Sequence, residues 1–236
     1  PDRNVTFRNL GWSADLPDGE SRLGLSLTQA GNEPPGEAWK LLQKQIEETK
    51  PTVAFLGYGM AASFDGAAGL PKFKVDYERL LDTIEKLSPG CRFVLLSPVN
   101  HEEQPGFSAV AAQHNKQLES YAKVVEDIAT ARKAKFVGIR GPFFLVEPLG
   151  QKRPEAKAAF DELRGSQPKN PFADAKSIMP LRLTDNGIHL NENGYRKVTV
   201  ILEHALFDGN HVLWTTSESL RQVILRKNEF FFHRSR

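Results

Sequence analysis

Cysteine is nearly absent from this chain, which has Cys91 alone among its 236 residues. One thiol excludes an internal disulfide and a metal centre built from several cysteines, and it leaves the compartment open. The six histidines are not spaced as metal ligands, since no His-x-x-x-His pair occurs. We therefore expect no zinc site.

An excess of charge of one sign is lacking as well. Lys and Arg number 31 against 29 Asp and Glu, which gives a formal net charge of +2. So small a charge predicts no binding to nucleic acid or to a membrane surface. No run is long and apolar enough to cross a bilayer, and no signal peptide is visible.

The sequence does contain apolar runs that alternate with helical patterns. The runs at 52–56, 92–97 and 135–139 are typical of buried strands, and Val5 to Phe7 alternates with polar residues as a half-exposed strand does. Helical spacing is found at 37–50, around 73–84, and at 109–131, 155–163, 193–207 and 217–231. This alternation predicts an α/β domain with a parallel sheet and helices on both faces.

One loop carries the strongest indication of chemistry. In Leu183-Thr-Asp-Asn-Gly-Ile-His-Leu-Asn-Glu-Asn-Gly-Tyr195, a histidine follows two side chains that can accept a hydrogen bond, and Asn191 can cap the next helix. A helix entry fixes the loop, and general base catalysis requires a fixed imidazole. The segment resembles the last motif of the SGNH/GDSL hydrolases, serine esterases with a three-layer α/β/α, flavodoxin-like fold.

The resemblance implies that His189 is the catalytic base and that the residue three positions earlier is its acid. That position holds Asn186, and Asp185 lies one residue further back. If Asp185 reaches the ring, a normal acid–base pair survives. If Asn186 faces the ring, it cannot stabilise imidazolium by charge, and the comparable change in serine proteases lowers kcat about 10⁴-fold.

Two further segments match that family in order. Phe7-Arg-Asn-Leu-Gly-Trp-Ser-Ala-Asp15 resembles the second motif, where a main-chain N–H binds the oxyanion, and the family's glycine aligns with Ala14. A main-chain donor tolerates that change only at negative φ. Leu56-Gly-Tyr-Gly-Met-Ala-Ala-Ser-Phe64 resembles the third motif, whose asparagine donor aligns with Ala61. Loss of one oxyanion donor costs about 2.7–4 kcal/mol of transition-state stabilisation. The resemblance thus assigns the oxyanion loops to Gly11, Ser13, Ala14, Gly59 and Ala61, with Ser63 as a substitute donor in another register.

The family's first motif, which carries the nucleophilic serine, has no counterpart in the sequence. In the family it ends the first strand, which lies between the second and third in the order 2-1-3-4-5. Without that strand, two edges would face an empty slot, and each buried unpaired main-chain group would cost roughly 1–3 kcal/mol. We expect an upstream segment or a separate chain to supply it. The alternatives are the tail at 228–233 and direct pairing of the two flanking strands.

Two functions remain open. The resemblance implies a serine ester hydrolase that acts on acyl or acetyl esters of carbohydrates or small molecules, is incomplete in these 236 residues, and needs no cofactor or metal. The losses at Ala61 and Asn186 favour instead an inactive SGNH-like module that binds a glycan or a protein. A flavodoxin-like nucleotide or flavin binder is a third alternative, although no phosphate loop is present.

The expected domains are a hydrolase-like domain at 1–210 and a C-terminal helical extension at 211–236. The sequence looks closest to bacterial GDSL-like proteins that are embedded in larger, often exported chains. That resemblance favours an extracytoplasmic or secreted location.

Overall fold

The computed structural model describes residues 5–11, 14–19, 36–104, 106–140 and 182–207, together with 222, 223 and 226. It divides into two compact units, 1–195 and 196–236, and the sheet and the site both belong to the first. The predicted helix at 155–163, the predicted boundary at 210 and most of the predicted helix at 217–231 lie outside the described residues. No described helix has the length and apolarity needed to cross a membrane.

Three parallel strands form one open sheet in the order β1–β2–β3: β1 is Val53–Leu56, β2 is Arg92–Leu96 and β3 is Lys135–Val137. In register, Phe55 pairs with Val94, and Leu95 pairs with Phe136. The predicted α/β fold with a parallel sheet is confirmed. All three predicted apolar runs form strands, each within a residue or two of the expected bounds.

The structure describes four helices: α1 (Glu37–Thr49), α2 (Leu70–Leu87), α3 (Ser108–Ala131) and α4 (Glu192–Phe207). A 3₁₀ segment, Ala62–Gly69, occupies much of the glycine-rich stretch after β1. Helix α1 ends because Lys50 takes a left-handed conformation, φ 43°, and Pro51 follows it. Helix α2 ends at Ser88, whose hydroxyl donates to the Pro51 carbonyl at 2.9 Å.

One hydrophobic cluster lies on one face of the sheet. The strand side chains on that face are Ala54, Leu56, Phe93, Leu95 and Phe136, and they pack with α1, α2 and α3. Tyr77 of α2 and Tyr121 of α3 are completely buried. The Tyr77 hydroxyl donates to the Leu56 carbonyl at 3.3 Å, and the Tyr121 hydroxyl donates to the Gly66 carbonyl at 2.9 Å. Both tyrosine hydroxyls are therefore hydrogen-bonded within the core.

The opposite face is incompletely covered at β1. Phe55 is 51% exposed, whereas Val94, its partner in register on β2, is 6% exposed. The predicted strand at Val5 to Phe7 was wrong: residues 5–11 form no strand, and Val5 and Phe7 are 63% and 61% exposed. Alternation specifies a strand only where a sheet is present to bury one of its faces. The described sheet therefore ends at β1, with no slot between paired strands.

Candidate functional site

The loop at 182–191 is a closed turn that leads into α4. Thr184 and Leu190 form an antiparallel bridge, and the Asn191 N–H donates to the Leu183 carbonyl at 2.9 Å. The Asn191 side chain accepts the N–H of Gly194 at 3.0 Å, which confirms the predicted helix cap. These bonds fix both ends of the segment that carries His189.

The Asn186 side chain holds the His189 ring. Its Nδ2 lies 3.1 Å from Nδ1 of the ring, while its Oδ1 accepts the main-chain N–H groups of His189 and Ile188 at 2.9 and 3.3 Å. Those two N–H groups determine which way the amide faces, because a rotated amide would set its own N–H against them. Asn186 is therefore a donor to the ring.

This bond selects the tautomer of His189. Because Nδ1 accepts from Asn186, the neutral ring carries its proton on Nε2. A general base that activates a serine needs the opposite tautomer, with Nδ1–H bound to an acceptor and Nε2 free. As folded, the neutral ring can donate a proton from Nε2, but it has no lone pair on that nitrogen with which to accept one.

Asp185 is exposed and lies on the same turn. Its main-chain N–H donates to the His189 carbonyl at 2.9 Å. Within the described part of the chain its carboxylate makes no hydrogen bond to the ring. The structure thus brings Asn186, rather than Asp185, to the imidazole.

The loop is tied to the end of β2 by the Glu102 carboxylate. Oε1 accepts the N–H of Leu183 at 2.9 Å, and Oε2 accepts the N–H of Thr184 at 2.9 Å together with the Thr184 hydroxyl. Thr184 Oγ1 in turn accepts the N–H of Gly187 at 3.0 Å. The carbonyl of Gly187 accepts the main-chain N–H of Glu102 at 2.7 Å. One carboxylate thus positions the turn that carries Asn186 and His189.

The residues assigned to the oxyanion loops are placed as follows. Gly11 gives its N–H to the Asn9 side chain at 2.9 Å, and Ser13 lies outside the described residues. Ala14 has φ 59°, a left-handed conformation that strains a residue with a Cβ. Gly59 has φ 125°, which suits glycine. Ala61 is the N-cap that precedes the 3₁₀ segment, and its side chain is only a methyl group.

Ser63, His114 and His101 form a series of linked polar side chains that the sequence did not predict. Ser63 is fully buried, and its hydroxyl lies 2.7 Å from the Met60 carbonyl and 2.7 Å from His114 Nε2. His114 Nδ1 lies 3.0 Å from His101 Nδ1. Both contacts of Ser63 are satisfied when its hydroxyl donates to Met60 and His114 Nε2–H donates to the hydroxyl. His101 Nδ1–H then donates to His114.

These bonds remove Ser63 as a substitute oxyanion donor, because its hydroxyl is enclosed and engaged. Burial lowers the pKa of His114, and the nearby His101 lowers it further. Asn115, which the sequence places on the long helix, holds His101 by its main chain: Oδ1 accepts the N–H at 2.8 Å and Nδ2 donates to the carbonyl at 2.9 Å. Ser63, His101, His114 and Asn115 come into contact only because the loops after β1 and β2 pack against α3 in the folded chain.

An open cleft of about 450 Å³ lies between the loop after β2 and the His189 loop, lined by His101, Gln104, Phe107, Val110, Arg182 and Asn186. No cluster of three or more metal-ligating side chains occurs in the described ranges. The Asn186 side chain lines this cleft and also contacts the His189 ring.

No protein-family model and no curated protein matches the sequence. Solved structures similar to this chain include acetylxylan esterases, a GDSL-like lipase and an extracellular lipase. An acetylxylan esterase from Geobacillus stearothermophilus is 13% identical with a TM-score of 0.46, over 72% of this chain and 65% of the esterase. A GDSL-like lipase from Bacteroides thetaiotaomicron is 14% identical with a TM-score of 0.44, over 70% of this chain and 69% of the lipase. At identities of 13% and 14% and TM-scores of 0.46 and 0.44, this similarity does not indicate an activity for the chain.

Proposed function

We propose that this chain is the body of an SGNH-type carboxylic ester hydrolase that acts on acyl or acetyl esters of carbohydrates or small molecules. The observation that carries the proposal is the His189 ring. It is exposed, it stands just before a capped helix, and the side chain three residues earlier holds its Nδ1. The general base of a serine ester hydrolase is likewise an exposed imidazole held at Nδ1 by a nearby side chain, which there is an acceptor rather than a donor.

The nucleophile in this proposal comes from a segment or chain outside these 236 residues. Ser63 is fully buried and bonded, so an ester cannot reach it. β1 stands at the edge of the described sheet, and its Phe55 is 51% exposed although the sequence is typical of a buried strand. A parallel strand added beside β1 would end at the carboxyl edge of the sheet, where Gly57 and Gly59 follow β1. Ligands of open parallel sheets bind at that edge.

Under this proposal, Asn186 lowers the rate of ester hydrolysis. Its N–H on Nδ1 holds the ring in the tautomer with Nε2 protonated, so the ring accepts the nucleophile's proton only after that bond is broken. Replacement by aspartate would keep both main-chain bonds on one oxygen and give Nδ1–H an acceptor on the other. We therefore expect the complete protein to turn over esters up to about 10⁴-fold more slowly than its Asn186→Asp variant.

The test uses the natural protein that contains this chain, with any sequence that precedes it. The protein and its Asn186→Asp and His189→Ala variants are assayed on p-nitrophenyl acetate and labelled with a fluorophosphonate probe. We expect a labelled serine outside these 236 residues, faster turnover with aspartate at 186, and none with alanine at 189. Absence of label and turnover from both the natural protein and the aspartate variant would overturn the proposal.

A module that binds without catalysis is the second candidate, and two observations favour it. Asn186 donates where catalysis needs an acceptor, and Ala61 presents a methyl group where the resemblance expects an amide donor. This candidate predicts that the double variant Asn186→Asp, Ala61→Asn stays inactive towards the probe. It also predicts that the unaltered protein binds acetylated or plain oligosaccharides in a calorimetric titration.

A further inference from the structure

We infer that the cleft beside the His189 turn binds a small organic carboxylate with a short apolar chain. The cleft lies between the loop that follows β2 and residues 182–186, and it has a volume of about 450 Å³. Asn186 lines this cleft and takes part in the proposed ester hydrolysis, but that proposal uses neither Arg182 nor Gln104. The inference therefore stands or falls separately from the proposed function.

The first observation is a buried donor without an acceptor. Arg182 Nη1 donates to Gln104 Oε1 at 2.6 Å, which fixes the direction of the Gln104 amide, because a rotated amide would face the guanidinium with its own N–H groups. Gln104 Nε2 is buried and has no hydrogen-bond partner within the described ranges. A buried donor is stable only when an acceptor reaches it. Gln104 also lines the cleft, so a small displacement of its side chain would bring the enclosed Nε2 within reach of a ligand oxygen there.

The second observation is the charge of the lining. Arg182 has five N–H donors, of which one serves Gln104, and a guanidinium binds a carboxylate through two parallel hydrogen bonds. Among the acidic side chains of these two loops, Asp185 is exposed, and Glu102 is turned towards the main chain of Leu183 and Thr184. Glu103, next to it, is exposed. Cation and amide donors together favour a ligand that only accepts, and a carboxylate is such a group.

The third observation is the apolar flank. Phe107 and Val110 line the same cleft and are 62% and 56% exposed. They stand at the beginning of α3, a 24-residue helix with no acidic residue in its first turn, so the helix dipole also favours an anion there. An inorganic anion would use Arg182 and Gln104 but would leave both apolar side chains uncovered. A short alkyl carboxylate would use all four.

The experiment is a calorimetric or NMR titration of the 236-residue chain with acetate, butyrate, butyramide and sulfate. Each added methylene is expected to tighten binding about 2–4-fold, so butyrate should bind more tightly than acetate. Butyramide has the same shape without the charge, and we expect it to bind at least about tenfold more weakly than butyrate.

Three variants locate the site. Arg182→Gln and Gln104→Glu should each weaken butyrate binding at least about tenfold, the second by placing a like charge in the cleft. Phe107→Ala should reduce the gain from acetate to butyrate. Arg92→Gln, an exposed arginine at the start of β2, is the control and should change nothing.

Circular dichroism of each variant shows whether it folds. Butyramide binding as tightly as butyrate would overturn the inference, as would equal binding of sulfate and butyrate. Unchanged affinity in both the Arg182→Gln and Gln104→Glu variants would overturn it too, since the binding would then lie elsewhere.

Discussion

Asn186 and His189 contact each other twice, through opposite ends of one amide. Oδ1 of Asn186 accepts the main-chain N–H of His189 at 2.9 Å, and Nδ2 faces Nδ1 of its ring at 3.1 Å. The first contact fixes the direction of the second, so the ring receives a donor where a catalytic imidazole requires an acceptor. The chemistry of the turn therefore depends on a single amide nitrogen.

Replacing that nitrogen by oxygen should reverse the tautomer. In the Asn186→Asp variant we expect the neutral His189 ring to carry its proton on Nδ1, whereas the unaltered chain carries it on Nε2. Nitrogen-15 NMR of the histidine side chains distinguishes the two forms. Asp185→Asn is the matched control and should leave the tautomer unchanged. If that control, rather than the change at 186, switches the ring, Asp185 is the partner of His189.

Gly187 should tolerate alanine less well than Gly90 does. Both glycines have positive φ, 94° and 82°, so both replacements carry the strain of a left-handed alanine, about 1–2 kcal/mol. A Cβ on Gly187 would also lie 2.9 Å from His101 Nε2 and 3.0 Å from the Glu102 carbonyl, whereas one on Gly90 meets nothing within 4 Å. We expect Gly187→Ala to lower the free energy of unfolding by at least about 1 kcal/mol more. Equal losses in urea denaturation would show that the loop is not packed as described.

Glu102 should stabilise the His189 turn locally. In Glu102→Gln, one of the two carboxylate oxygens becomes a donor that faces N–H groups, and we expect a loss of about 1.5–3 kcal/mol. Hydrogen exchange at the amides of Leu183 and Thr184 should accelerate in proportion. Glu103→Gln, at the exposed neighbouring position, should stay within about 0.5 kcal/mol of the unaltered chain. Unchanged exchange at both amides would refute the role given to Glu102.

The stability of the fold should fall in mild acid because of His114. Burial, and secondly His101, lower its pKa below the ordinary 6.5, so the unfolded chain takes up a proton that the folded chain refuses. The contribution of neutral His114 to the free energy of unfolding is fully present above pH 6.5. It is lost as the pH falls through the lowered pKa of His114. Thermal unfolding between about pH 7.5 and 5 should show this slope.

Two variants separate His114 from other causes of that slope. His114→Gln should flatten the dependence of the melting temperature on pH. Ser63→Ala removes the hydroxyl that His114 contacts at 2.7 Å but keeps the buried ring, so it should lower the melting temperature and retain the slope. A slope that persists unchanged in His114→Gln would assign the acid sensitivity to another group.

Local patterns predicted most of the described helices and strands. The apolar spacing that indicated a helix near Phe73 to Ile84 corresponds to α2, and the run at 92–97 corresponds to β2. Periodicity succeeds there because each element buries its own apolar side against a common core. It failed at Val5 to Phe7, where the alternation is present but no strand forms. A strand depends on a partner that the segment itself does not contain.

The candidate site was predictable only where its residues are close in sequence. Asn186, His189 and the Asn191 cap lie within one turn, so their spacing limits where their side chains can point. Glu102 and Thr184 are far apart in the chain, as are Ser63 and His114, and their bonds arise because the loops after β1 and β2 meet α3 and the turn at 182–190. A local sequence pattern does not predict contacts between segments that are far apart in the chain.

The sequence alone determined that the chain forms a parallel α/β sheet and that an imidazole stands immediately before a capped helix, because helix caps and apolar periods are properties of neighbouring residues. Only the tertiary structure decided which atom meets that imidazole. Asp185 and Asn186 are one residue apart, and the turn that Glu102 and Thr184 hold in place directs the amide, not the carboxylate, to the ring. A difference of one residue in a turn is set by bonds from outside the turn, and those exist only in the folded chain.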